Sequence, residues 1–145
     1  MSATLLQVAD AVVTELNNHD GFTGVDYTAL RLYRPSYSKE QLATLRVSVV
    51  PKDEDIKRLS RSHIQTECKI DVGVQQRVKS TSDTEALDRL TTFVEDIVKL
   101  FDQKPLSYMA NAYSVLPKPL PIYDPDTLED EQVFLSVATL TVKVL

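Results

Sequence analysis

The sequence predicts an α+β domain, a mainly antiparallel sheet of four to five strands with two principal helices packed on one face, in the order α-β-β-β-α-(β)-β. Three observations predict it. Ile64, Thr66, Cys68, Ile70, Val72, Val74 and Val78 fall on one parity, while His63, Gln65, Glu67, Lys69, Asp71, Gln75 and Arg77 fall on the other. Alternation sustained this long means a strand with one buried and one wet face. Leu87, Leu90, Val94, Ile97 and Phe101 then recur at helical spacing behind a capping sequence. Between the first three strands each connection looks too short for a helical crossover, so an antiparallel meander is expected.

Taken in order, Thr4 and Gln7 have the spacing of a capping box, with Ser2 as a rival cap. Leu5, Val8, Ala9, Val12, Val13 and Leu16 give the helix that follows its apolar stripe. Asn17, Asn18, His19, Asp20 and Gly21 end it with residues that tolerate turn geometry. Residues 27–34 form a first strand closed by Pro35, and a polar connection leads to a second strand at 44–50. There Leu45, Val47 and Val49 point inward, and Pro51 is expected to stop the strand. A charged segment then leads to the third strand, which at ~3.3 Å per residue spans roughly 45–50 Å, more than a core of this size needs. The excess is expected to project as an arm at residues 51–62.

Ser82 to Glu85 is a second capping box, and the helix behind it ends before Pro105. Glu85 with Arg89, and Glu95 with Lys99, place acid before base at i,i+4 on its outer face. Residues 111–116 suit a short strand inside a proline-rich connection, residues 105–131, which holds five of the seven prolines. Asp126 is placed to cap a single helical turn. Residues 132–145 carry apolar side chains on both parities, the pattern of a strand buried on two faces.

With 145 residues, 43% hydrophobic and 26% charged, the whole chain reads as one globular domain able to bury its own core. The net charge of -5 gives no basic footprint for nucleic acid, and only Lys57, Arg58 and Arg61 approach a cluster. No apolar run approaches the ~20 residues of a membrane span. Asp10 and Glu15 interrupt the N-terminal apolar residues, so no signal peptide is expected.

The chemistry on offer is sparse. Cys68 is the one cysteine, which excludes an internal disulfide and a cysteine-rich zinc site. Its parity with Ile64, Ile70 and Val72 makes it core filling, and His63 points to the opposite face, so the two form no thiol–imidazole pair. His19 suits a helix end. Asp124, Asp126, Glu129, Asp130 and Glu131 lack the ligand alternation and turn glycine of a calcium loop. Gly21, Gly24 and Gly73 are too far apart to cradle a phosphate. The sequence therefore predicts no enzyme, no cofactor and no metal site. What stands out is the arm, where Asp53, Glu54 and Asp55 are followed by Lys57, Arg58 and Arg61. A solvated loop would account for these charges. A self-complementary contact in a head-to-tail ring would also account for their sorting, acids first and bases after.

The element order resembles that of the tail terminator (tail completion, or tail-to-head joining) proteins of long-tailed bacteriophages. The resembling stretches are residues 63–72, the capped helix at 82–101, and residues 122–136 with 140–144. The resemblance implies a structural virion protein that forms a ring, usually of six subunits. Such a ring caps the tail tube, ends its polymerisation and offers a docking surface to the head connector. The implied partners are further copies of the chain, the tail tube protein and the head connector or stopper, with DNA only in transit and no membrane. The implied location is the tail–neck junction of the virion, after assembly in the host cytoplasm. No catalytic, cofactor or metal residues come with the resemblance. Asp53, Glu54, Asp55, Lys57, Arg58 and Arg61 are expected near a subunit or tube interface, on a segment mobile in the free chain. A head-side neck or stopper protein is the alternative within that setting; a non-viral interaction module that adds a strand or helix to a partner is the alternative outside it.

Overall fold

A computed structural model describes residues 3–19, 21–22, 25–80, 82–115, 117 and 122–145. Ser2, Asp20 and Gly24, named above, lie outside them, as do Leu116 at the end of the short strand expected at 111–116 and Pro119 and Pro121 of the proline-rich connection. Helices α1 (Thr4–Asn17), α2 (Thr84–Leu100) and α3 (Pro125–Glu131) accompany strands β1 (Ala29–Arg31), β2 (Arg46–Arg58), β3 (Ile64–Arg77), β4 (Ala112–Ser114) and β5 (Val133–Val144). The strands make one sheet in the order β1-β2-β3-β5-β4. All neighbours are antiparallel except β1 and β2. The α+β class with a mainly antiparallel sheet therefore holds.

The core lies on one face of β3 and its neighbours. Cys68, Ile70, Val72 and Val74 are buried, and they sit opposite Val142, Leu140, Ala138 and Ser136 of β5. Val47 and Val49 of β2 stand opposite Val74 and Val72 and extend the same face. Val8, Ala9, Val12 and Leu16 of α1, with Leu90, Phe93, Val94 and Ile97 of α2 and Phe101 beyond it, complete the cluster. Leu87 is only half-buried, and Phe93 is a core residue that the helical spacing above had not picked out. Its ring lies 5.1 Å from both Phe22 and Tyr27, which fixes the α1–β1 connection against α2.

Several sequence expectations are corrected. The three-strand meander fails because β1 runs parallel to β2, with Ala29 opposite Val47. The connection between them reaches the dozen or so residues that parallel pairing needs. It folds through a short 3₁₀ turn, Gln41–Ala43, and lays Tyr37 over the back of β2, where its hydroxyl meets Ser48 Oγ at 3.0 Å. β1 is shorter than expected, and its outer edge is closed by Asn17. That side chain accepts from Ala29 N at 2.8 Å and donates to Ala29 O at 3.1 Å. Pro51 does not stop β2, which continues to Arg58 through a bulge between Pro51 and Asp53. β2 is covered by β1 only at residues 47–49, so the missing amide hydrogen of proline costs no ladder bond there.

The caps also shift by a residue or two. At α1 the N-cap is Ala3, which makes no side-chain cap bond, and Thr4 is already the first helical residue, so Thr4 is not the cap expected above and burial of the apolar stripe holds the helix. Asp83 rather than Ser82 caps α2, accepting from Ala86 N at 3.3 Å. Asp124 rather than Asp126 caps α3, with Pro125 in the first helical turn. Glu95 and Lys99 pair at 2.8 Å, whereas Glu85 and Arg89 make no ion pair among the described residues. β5 is not buried on both faces: Phe134, Ser136, Ala138, Leu140 and Val142 are dry, but Val137 is exposed. On its odd-numbered face only Val133 is buried, while Leu135, Thr139 and Thr141 are half-buried.

Ile64 is the last correction, since it was expected in the core and is 45% exposed. The helices do not reach that far along β3. Leu90→Ala or Ile97→Ala should lower stability by about 2–5 kcal/mol. Ile64→Ala should cost less than ~1 kcal/mol, as a residue outside the packed core. Denaturant midpoints check this, and equal losses at positions 64 and 90 would contradict the boundary.

Candidate interaction surface

From Cys68 toward the β2–β3 tip the sheet continues with no helix over it among the described residues. β2 and β3 stay paired from Asp53–Lys69 out to Arg58–Ile64, while β5 accompanies β3 only as far as Thr66–Val144. Every residue from Lys52 to Ile64 is exposed. The segment expected as a loose arm is thus the second half of β2, joined to β3 by a tight tip. At that tip His63 O accepts from Leu59 N and Ser60 N at 2.9 and 3.2 Å. Arg58 Nη1 donates to Arg61 O at 3.1 Å, and His63 Nδ1 lies 3.1 and 3.2 Å from the hydroxyls of Ser60 and Ser62.

The bulge decides which arm residues share a face. Before it, Val47, Val49 and Pro51 are buried; after it, Glu54, Ile56 and Arg58 stand opposite Cys68, Thr66 and Ile64. The core face therefore runs onto the arm through Ile56 and Ile64. Asp53, Asp55 and Lys57 are turned to the back with Lys69, Glu67 and Gln65. Lys57 Nζ lies 3.3 Å from Glu67 and 3.9 Å from Asp55, and Lys52 Nζ lies 3.3 Å from Asp71, which also accepts from Thr139 Oγ1 at 2.8 Å. The structure thus brings the six charged candidates onto one hairpin but spends Lys57 within it. Asp53, Glu54, Arg58 and Arg61 make no ion pair among the described residues. Such exposed pairs contribute ~0–1 kcal/mol each, so they set the arm's charge pattern more than its stability.

Ile56, Leu59 and Ile64 are 63%, 58% and 45% exposed, a concentration of aliphatic surface at one hairpin end. The charge pattern drew attention to this segment, but which face Ile56 takes depends on the bulge. At the same end of the sheet, beside β4, a groove of about 610 Å³ is lined mainly by apolar residues, among them Pro105, Leu106, Met109, Ala112, Val115 and Leu145. A second groove, of about 580 Å³, lies at the opposite end of β3 and gathers Lys39, Arg77, Lys79 and Arg89 with Asp83 and Glu131. Arg77 and Lys79 are neighbours, but Lys39 and Arg89 join them from distant parts of the sequence, which is why no linear cluster announced the group.

Cys68 sits where core and arm meet and is fully buried. Burial pushes its thiol up to about 11, with Glu54 and then Asp53 adding to the shift. His63, at the exposed tip, is engaged with serine hydroxyls and does not approach it. Asp124 and Thr127 are tied to each other at the start of α3, with Thr127 Oγ1 donating to Asp124 Oδ2 at 2.8 Å. Among the described residues no group of three or more His, Cys, Asp and Glu could hold a metal ion, and no helix is long and apolar enough to cross a membrane. No protein-family model matches the chain, and no curated protein matches it.

The Cys68 environment has a consequence for pH. In the unfolded chain the thiol ionises near its ordinary value, so between that value and about 11 the unfolded state binds fewer protons and stability falls as pH rises. The loss attributable to Cys68 should total roughly 2–3 kcal/mol across that window, at ~1.4 kcal/mol per unit. Cys68→Ala should be less stable at neutral pH by ~1–2 kcal/mol yet show a flatter profile above pH 9. Denaturant unfolding of both proteins from pH 7 to 11 measures it, and parallel profiles would contradict the assignment.

Proposed function

We propose that this chain is a structural subunit that assembles through its hairpin arm into a ring capping a bacteriophage tail tube. In this role it ends tube growth and presents a docking surface to the head connector. The observation that carries the reading is the arm: two paired strands outrun the helices and hold aliphatic and charged side chains that one copy leaves in water. A lone subunit gains nothing from that exposure, whereas a subunit in an assembly buries it. The resemblance to tail terminators supplies the setting, with the tube protein and the connector or stopper as partners and DNA passing through the channel. The net charge of -5 accords with DNA passing without adhering.

One observation favours a second reading. The outer edge of β2 beyond Val49 has no strand beside it among the described residues, so its backbone groups are open to a partner's strand, although Pro51, the bulge and the charges hinder that addition. Stoichiometry separates the two, because a strand-adding module forms one-to-one complexes and no ring. The position of the protein on assembled particles separates a terminator from a head-side stopper.

Arg58→Glu with Arg61→Glu is the informative change, since Lys57 is already engaged by Glu67 and its reversal would set three carboxylates together. The double variant should keep its fold, exposed substitutions costing within ~0.5 kcal/mol. Native mass measurement should show six-subunit rings for the parent chain and their loss in the variant. In a phage background the variant should give overlong or headless tails. Tails of normal length carrying the variant at their ends would overturn the role given to the arm.

A further inference from the structure

Two apolar features sit at the same end of the sheet but on opposite sides of it. The arm lies on the β2 side. The groove lies on the β4 side, where Ala112 pairs with Val144, itself opposite Thr66 at the root of the arm. Arm root and groove are therefore level along the strand direction, with β3 and β5 between them. Within one chain those two strands hold them apart. Rotation about an axis running along the strands keeps that level and brings the β2 side of one copy against the β4 side of the next. A cyclic assembly requires this relation between two different surfaces.

We propose that the arm of one copy seats Ile56, Leu59 and Ile64 in the Pro105–Leu106–Met109–Leu145 groove of the next copy. This rests on the ring reading above and names the contact that builds it. The groove suits side chains more than an added strand, because the outer edge of β4 is already occupied. Leu106 N donates to Ala112 O at 2.9 Å, and Ser114 N donates to Lys104 O at 2.8 Å. The groove also has unfinished surface of its own, since Leu145 is 63% exposed at its wall. Charge agrees with the placement. Lys104, whose carbonyl accepts from Ser114 N at the groove's inner margin, is level with Val142, Cys68 and Glu54, and neither Lys104 nor Glu54 makes an ion pair among the described residues. A neighbour's Glu54 meets that base at the same level, which favours the head-to-tail pairing over arm against arm.

Cross-linking of the full chain tests this. Ile56→Cys and Met109→Cys are made singly, and the two proteins are mixed and treated with a short bismaleimide at pH 7. Buried Cys68, with its thiol held at about 11, adds no background. A covalent dimer in the mixture, with none from either variant alone, is the expected result. A chain carrying both cysteines should give a ladder ending at the closed ring. Glu54→Lys in the arm-bearing chain should weaken the mixed cross-link, and Lys104→Glu in its partner should restore it. Dimers formed by Ile56→Cys alone would replace the proposal with an arm-to-arm contact. Six-subunit rings that give no mixed cross-link would overturn the docking and leave the ring reading standing. A mixed cross-link whose ladder never closes would uphold the docking and overturn the ring. Neither rings nor cross-link at any protein concentration would overturn both.

Discussion

The structure depends on a mismatch of lengths between the central strand and the helices that cover it. β3 has 14 residues and extends ~46 Å at ~3.3 Å per residue. α2 has 17 residues and extends only ~25 Å at ~1.5 Å per residue, and α1 is shorter. The helices can keep one face of β3 dry for about half its length, and the burial pattern ends where they end, at Cys68. Everything beyond must find its hydrogen bonds in the neighbouring strands and its apolar contacts elsewhere. The arm is the part of the sheet left over when the core is complete.

β2 adapts to that transition with a bulge. Had its pairing run on evenly from Pro51, Asp53 would stand on the core face beside Cys68 and Ile56 would point to the wet back. The extra residue at Lys52 reverses the parity, so Ile56 continues the apolar face and the alternate charges turn outward. Lys52, freed from the ladder, reaches Asp71 on the back face. Glu54 then stands opposite Cys68, and its carboxylate adds to the rise in the thiol's pKa. One inserted residue thus sets the chemistry on both sides of the arm.

The alternation of β3 and the stripe of α2 were legible in the sequence because each repeats many times, and burial enforces every repeat. The features that were not legible rest on single residues or on distant partners. A proline at a strand's uncovered edge looks like a proline at a strand's end, so Pro51 hid the second half of β2. The parallel pairing of β1 depends on Asn17 clamping Ala29 from another element and on a connection that crosses behind β2. Neither leaves a periodic trace. The six charged arm residues were visible as a sorted run, yet the sorting meant something different once paired, because Lys57 was answered by Glu67 from the adjacent strand. β5 misled through its valines and threonines, which mark a strand without telling which face is dry.

The sheet's edges show how such a protein can present an arm without becoming a template for fibres. β1 is closed by Asn17 and β4 by residues 104–106, while the outer edge of β2 beyond Val49 has no strand beside it among the described residues. That open stretch carries a proline, a bulge and charges on both faces, three devices that discourage another strand from adding edge-on. The side chains of Ile56, Leu59 and Ile64 are under no such restriction, because they project from the faces and the tip. The arm is therefore poor at extending a sheet and well placed to insert side chains into a shaped groove. A contact of that kind saturates when the groove is filled, and it closes into an assembly of finite size only where the rotation between copies divides a full turn evenly.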